Sequence, residues 1–190
     1  NDTKKEKKEK AVNPEYTALQ QSAKSIFGKL PLVAENNANP ISKEKVLLGK
    51  TLFFDTRLSK DNTESCNTCH NLTTYGVDNL STSPGNDGGF GTRNSPSVFN
   101  AALHIAQFWD GREPDVEAQA GGPMLNPVEM AMPNEKEVIS RLSKIENYQK
   151  LFKEAYPEDK NAISFKNIKN AIGAFERKLI TPSKFDNFIA

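Results

Sequence analysis

Cys66-Asn67-Thr68-Cys69-His70 places two thiols three positions apart, with an imidazole directly after the second. C-x-x-C-H is the attachment signature of a c-type haem. The spacing lets both thiols add across the two porphyrin vinyl groups as thioethers. The adjacent imidazole then lies under the iron as an axial ligand. One covalent haem c is the expected cofactor, held by Cys66 and Cys69, with His70 as the proximal iron ligand. Other chemistries fit the counts poorly. A structural zinc site takes four closed ligands, and the chain has two Cys and two His in all, three of them within five positions. A thioredoxin-like pair needs a βαβ context, and no alternating strand pattern is visible. The sixth iron position separates electron transfer from peroxide or gas chemistry. Its candidates are His104, Met124, Met130 and Met132, each of which also reads as a packing residue.

The elements that position this motif follow from composition and periodicity. A chain of 190 residues, 36% hydrophobic and 26% charged, suits one domain. A haem supplies apolar surface of its own, which fits the lean hydrophobic count. No apolar run approaches the roughly 20 residues of a membrane helix. Net charge is +1, and the first ten residues hold five Lys against three acids. Residues 1–13 therefore read as a disordered, solvated tail. No basic stripe suggests nucleic acid as a partner.

Pro14 is placed to open a helix carrying Leu19, Ala23, Ile26, Phe27 and Leu30, ended by Pro31. Ser42 is a plausible N-cap for a second, with Val46, Leu47, Leu48, Leu52 and Phe53. Residues 55–97 are irregular, and Gly85, Gly88, Gly89 and Gly91 mark their most flexible part. A short helix over 113–120 is expected to stop at Gly121-Gly122-Pro123. Asn134 caps a helix with Val138, Ile139, Leu142 and Ile145. Tyr148, Leu151, Phe152 and Ala155 form another short face. Ser164 caps the clearest helix, with Phe165, Ile168, Ile172, Phe175 and Leu179 on one face. The expected fold class is all-α.

The blocks FFDTRLSKDNTESCNTCHNL, GVDNLSTSPGN, TRNSPSVFNAA, QFWDGR, EAQAGGP, NPVEM and FERKLITPSKFDNFI follow one another in this order. They resemble the bacterial di-haem cytochrome c peroxidases and the related tryptophylquinone-forming di-haem oxidases, from about Lys50 to the end. The resemblance implies a cytochrome c-like haem domain with long irregular loops. In the family this N-terminal domain holds the peroxidatic, lower-potential haem, and a second domain holds an electron-donating haem. Carried over, Glu129 in NPVEM matches the distal acid–base glutamate and Gln119 a distal-side glutamine. Trp109 in QFWDGR matches the tryptophan between the two haems. Asn94 in RNSP matches a side-chain ligand of a calcium ion between the domains. A carboxylate beside an open iron position suits peroxide, because it moves a proton from one oxygen to the other. Without the resemblance, Glu129 reads as a surface or helix-start residue and Trp109 as a core anchor. Arg93 and Arg112 suit haem propionates, or a surface salt bridge.

Two departures from the family pattern matter. Asn86 stands in place of the family's distal His, and Asn is a poor haem ligand. The iron is then expected to be open or water-bound, without a reductive switch. There is also only one C-x-x-C-H. The second haem c belongs to the picture only if the chain is a fragment or pairs with another subunit; residues 14–181 read as the haem domain and residues 182–190 as the start of a linker. The expected function is a haem c peroxidase, or its peroxidatic domain, reducing hydrogen peroxide. The implied partners are a small cytochrome c or cupredoxin donor, a second haem domain or subunit, and a second copy in a homodimer. The alternatives are a mono-haem electron-transfer cytochrome and a di-haem oxidase acting on a partner protein. Haem c is attached outside the cytoplasmic membrane, so a processed periplasmic chain is expected.

Overall fold

The computed structural model describes residues 14–190; the charged tail expected over 1–13 lies outside them. The first helices are α1 (Pro14–Ile26), α2 (Lys43–Phe53) and α3 (Cys66–Cys69). Then come α4 (Val116–Gln119), α5 (Gly121–Leu125), α6 (Glu135–Ser143), α7 (Glu146–Ala155), α8 (Phe165–Glu176) and α9 (Lys184–Phe188). Among the described residues the only β pairing is two isolated bridges, Pro84 with Phe90 and Gln107 with Glu113. The all-α expectation holds.

The chain divides into two compact units. One joins the segment ending at Pro31 to Thr181–Ala190; the other is Leu32–Ile180. α1 pairs with the C-terminal segment, because its aromatic rings find partners there. Tyr16 meets Phe188 edge-on at 5.1 Å between centroids, and Phe27 meets Phe185 at 5.4 Å. The Leu30 N–H donates to the Asp186 carboxylate at 2.8 Å. Residues 182–190 include the short helix α9, opened by a Ser183–Asp186 capping box.

In the larger unit, local signals set the helix starts. Ser42 accepts from the Lys45 N–H, Asn134 from Glu137 and Ser164 from Asn167, as their N-cap chemistry predicts. Gly121-Gly122-Pro123 does not simply stop α4; it opens α5. Pro is tolerated in a first turn, where the N–H has no intrahelical acceptor to lose. The apolar faces of α2, α6, α7 and α8 then bury one core, with Leu48, Leu52, Phe53, Leu142, Phe152 and Ile172 all fully enclosed. Phe53 and Phe175 lock α2 to α8 edge-to-face at 5.3 Å.

α2 and α8 touch backbone to backbone. A Cβ on Gly49 would lie 1.8 Å from the Ala171 carbonyl oxygen. Gly49→Ala is therefore expected to cost about 3 kcal/mol through overpacking at a backbone that cannot yield. Chemical denaturation measures this, and an unchanged midpoint would show that the crossing has slack.

Candidate functional site

α3 is a single turn that puts Cys66 and Cys69 on its two ends and His70 at its C-cap. Both thiols are free. They open, with His70, on a largely apolar cleft of about 370 Å³, within the usual range for a cofactor site. His70 Nδ1 lies 3.0 Å from the Pro96 carbonyl oxygen. Burial favours the neutral ring, so Nδ1–H donates to Pro96 and the Nε2 lone pair stays available for a metal. Burial also raises both thiols, Cys69 to about 11. Protonated thiols against an apolar wall suit thioether attachment and make poor zinc ligands. Among the described residues no cluster of three His, Cys, Asp or Glu could hold a metal ion. The residues present thus fit a covalently attached haem.

The irregular middle and the 107–130 stretch supply the rest of the cleft. Trp109, Gln119, Glu129, Arg93, Arg112 and Asn94 all line it. Glu129 follows a turn begun by Asn126, whose Oδ1 accepts from the Val128 N–H at 3.2 Å. The Asn126 side-chain amide donates to Glu129 Oε1 at 3.0 Å and aims the carboxyl. Burial pushes the Glu129 pKa above the ordinary carboxylate value, although Asn126 and the Arg112 charge oppose it. Trp109 is 60% exposed, which rules out a core anchor. Its indole N–H donates to the Asn94 carbonyl at 2.9 Å. Arg93 and Arg112 do make a surface salt bridge: both pair with Asp110, at 3.2 and 2.8 Å. Arg112 also lies 3.4 Å above the Phe108 ring. Both residues still line the cleft.

Asn86 does not line the cleft. Its side chain is bonded to Asp61, Thr63 and Asp87 instead. Of the four candidates for the sixth iron position, His104 is exposed and outside the cleft, and Met124 and Met132 are enclosed in the core. Only Met130 lines it.

Sequence reasoning missed Asn126 and Glu176. The Asn-Pro turn three residues before Glu129 was a usable signal for Asn126. Nothing local marks Glu176, the last residue of α8. It is 5% exposed, lines the cleft, and burial together with the Glu117 charge pushes its carboxyl up to about 8.

The profile of the family described as di-haem cytochrome c peroxidase matches residues 43–190. The cytochrome c551 peroxidase of Pseudomonas aeruginosa is 45% identical over 174 residues, covering 90% of this chain and 50% of that protein. The methylamine utilization protein MauG of Methylorubrum extorquens is 38% identical over 162 residues, covering 83% of this chain and 44% of its own length. A solved structure, a MauG-like protein associated with microbial copper homeostasis, superposes with a TM-score of 0.78 at 32% identity. It covers 86% of this chain and 49% of that one. The chain thus spans about half the length, or less, of the relatives it matches. Its fold is that of a cytochrome c-like haem domain, and the family implies haem c. With its C-x-x-C-H turn, its cleft and its matching sequence from residue 43 onward, the chain belongs to the di-haem cytochrome c peroxidase family.

Proposed function

We propose that this chain is the peroxidatic haem domain of a periplasmic cytochrome c peroxidase that reduces hydrogen peroxide to water. The observation that carries the reading is the shared cleft: the two thiols, His70 and a desolvated, hydrogen-bonded Glu129 all line it. One haem c would be held by Cys66, Cys69 and His70. When bound, the haem supplies a redox-active iron at which the peroxide O–O bond is cleaved. Glu129 takes the proton from the incoming peroxide oxygen and returns it to the leaving oxygen as water. Gln119 would hydrogen-bond the peroxide, and Arg93 and Arg112, which line the same cleft, would pair with the haem propionates. Two electrons and two protons convert one peroxide into two waters. The electrons come from a small cytochrome c or cupredoxin by way of a second haem domain or subunit, and exposed Trp109 is where they arrive. Asn94, at the rim beside Trp109, is the residue assigned to a calcium ion.

The placement of Asn86 supports an open distal side, since its side chain is bonded to Asp61, Thr63 and Asp87 outside the cleft. Oxidised, haem-loaded protein is expected to give a high-spin electron paramagnetic resonance signal. One equivalent of peroxide should shift its main absorption band. A low-spin signal insensitive to peroxide would overturn the reading and point to Met130 as sixth ligand. The exposed Trp109 and the likeness to MauG also fit a di-haem oxidase acting on a partner protein. Rapid peroxide consumption with a small reduced redox protein alone separates the peroxidase from it.

A further inference from the structure

Asn86 is the centre of a hydrogen-bonded junction behind Glu129. Its backbone N–H donates to the Glu129 carbonyl at 2.7 Å. Its side-chain oxygen accepts from the Asp61 N–H at 2.9 Å and from the Thr63 hydroxyl at 3.3 Å. Its side-chain amide donates to Asp61 Oδ2 at 2.9 Å and to Asp87 Oδ1 at 3.1 Å. Lys60 reinforces the junction: its N–H donates to the Met130 carbonyl at 2.8 Å, and its Nζ pairs with Asp87 at 3.1 Å. On the other flank, a Cβ on Gly85 would lie 2.1 Å from the Val128 carbonyl oxygen. Residues 128–130 are thus gripped by the 60–63 and 85–87 loops together.

The junction presents two donors and two acceptors to one side chain. A primary amide offers both kinds; a carboxylate offers only acceptors, and a neutral imidazole only one of each. A carboxylate at position 86 would also gather three negative charges. From this we infer that Asn86 is a positioning residue for Glu129: it ties the two loops into a brace that fixes the backbone from which the proton-handling carboxyl enters the cleft. The inference rests on Glu129 being the acid–base group. A general base acts only within a few tenths of an ångström of its productive place, and a 1 Å error costs about 100-fold in rate.

The test compares Asn86→Ala, Asn86→Asp and the pair Asn86→Asp with Asp61→Asn in haem-loaded protein. Two quantities are read: amide exchange at positions 60 and 86, and the second-order rate of reaction with peroxide. Each single variant is expected to exchange about tenfold faster at both amides and to react about 10- to 100-fold more slowly. The paired variant returns a donor to face the carboxylate and should recover most of both losses. Unchanged exchange in Asn86→Ala overturns the brace. Faster exchange with an unchanged rate overturns the positioning role, and so does a paired variant no better than the single. The acid–base reading fails separately, by Glu129→Gln reacting at the full rate whatever the exchange data show.

Discussion

Glu129→Gln is expected to slow the reaction of the haem-loaded protein with peroxide about 100- to 10,000-fold. The substitution is close to isosteric. The Asn126 amide, 3.0 Å from Glu129 Oε1, keeps an oxygen to donate to, so the turn and the cleft stay in place. Only the capacity to take and return a proton is lost. The pH profile gives a second readout. Burial raises the Glu129 pKa, and the carboxyl must be ionised to accept the peroxide proton. The wild-type rate should therefore rise with pH along a limb centred above the ordinary carboxylate value. Below that limb the carboxyl is protonated and idle. In Glu129→Gln the limb disappears. Stopped-flow mixing with peroxide across pH 4 to 8 measures both effects; a glutamine variant with the wild-type rate and the same limb would remove Glu129 from the mechanism.

The second large effect concerns stability. Glu117 and Arg177 are each 6% exposed. They form a two-pronged ion pair, Nε to Oε1 and Nη2 to Oε2, both at 2.7 Å. Asn39 donates to Glu117 Oε1 at 2.9 Å, and Arg177 Nη1 donates to the Ala34 carbonyl at 3.1 Å. Gly173 makes the room: a Cβ there would sit 2.6 Å from Glu117 Cγ. Burial alone would raise the Glu117 carboxyl, but Arg177 and Asn39 outweigh it and hold the pKa below the usual range. A depressed pKa contributes stability at neutral pH that is lost as pH falls through the folded value. Removing one partner strands a buried charge. Glu117→Gln or Arg177→Met is expected to cost about 3–5 kcal/mol, roughly 10 °C in melting temperature for a chain of this size. Replacing both partners with apolar residues of similar volume should recover most of that, because neither charge is then desolvated. Denaturation of the three variants decides it; single variants within 1 kcal/mol of wild type would mean that water reaches the pair. The pair lies one residue from the cleft lining on α8, where Glu176 precedes Arg177. Gln119 stands two residues beyond Glu117 on α4, on the opposite side of the turn, and lines the cleft.

What the sequence determined by itself was local. The C-x-x-C-H motif occupies five consecutive residues, so its chemistry is readable before any folding is considered. The N-caps at Ser42, Asn134 and Ser164 are likewise one-turn interactions, and the faces of α6, α7 and α8 follow from a period of 3.6 residues. Motif order along the chain then carried the family and, through it, Glu129, Gln119 and Trp109. Other features belonged to the tertiary structure. Gly49 against Ala171, Glu117 against Arg177, Asn86 against Glu129 and Glu176 in the same cleft as Cys66 all join residues dozens of positions apart. No spacing rule reaches that far, because such pairs are set by how whole helices and loops pack. The same packing decided the fate of single residues with two readings. It left Trp109 exposed, sent His104 to the surface, enclosed Met124 and Met132 in the core, and turned the Asn86 side chain away from the cleft to brace the loops behind Glu129. A residue type states which bonds a side chain can make; only the folded chain brings it the partners that choose among them.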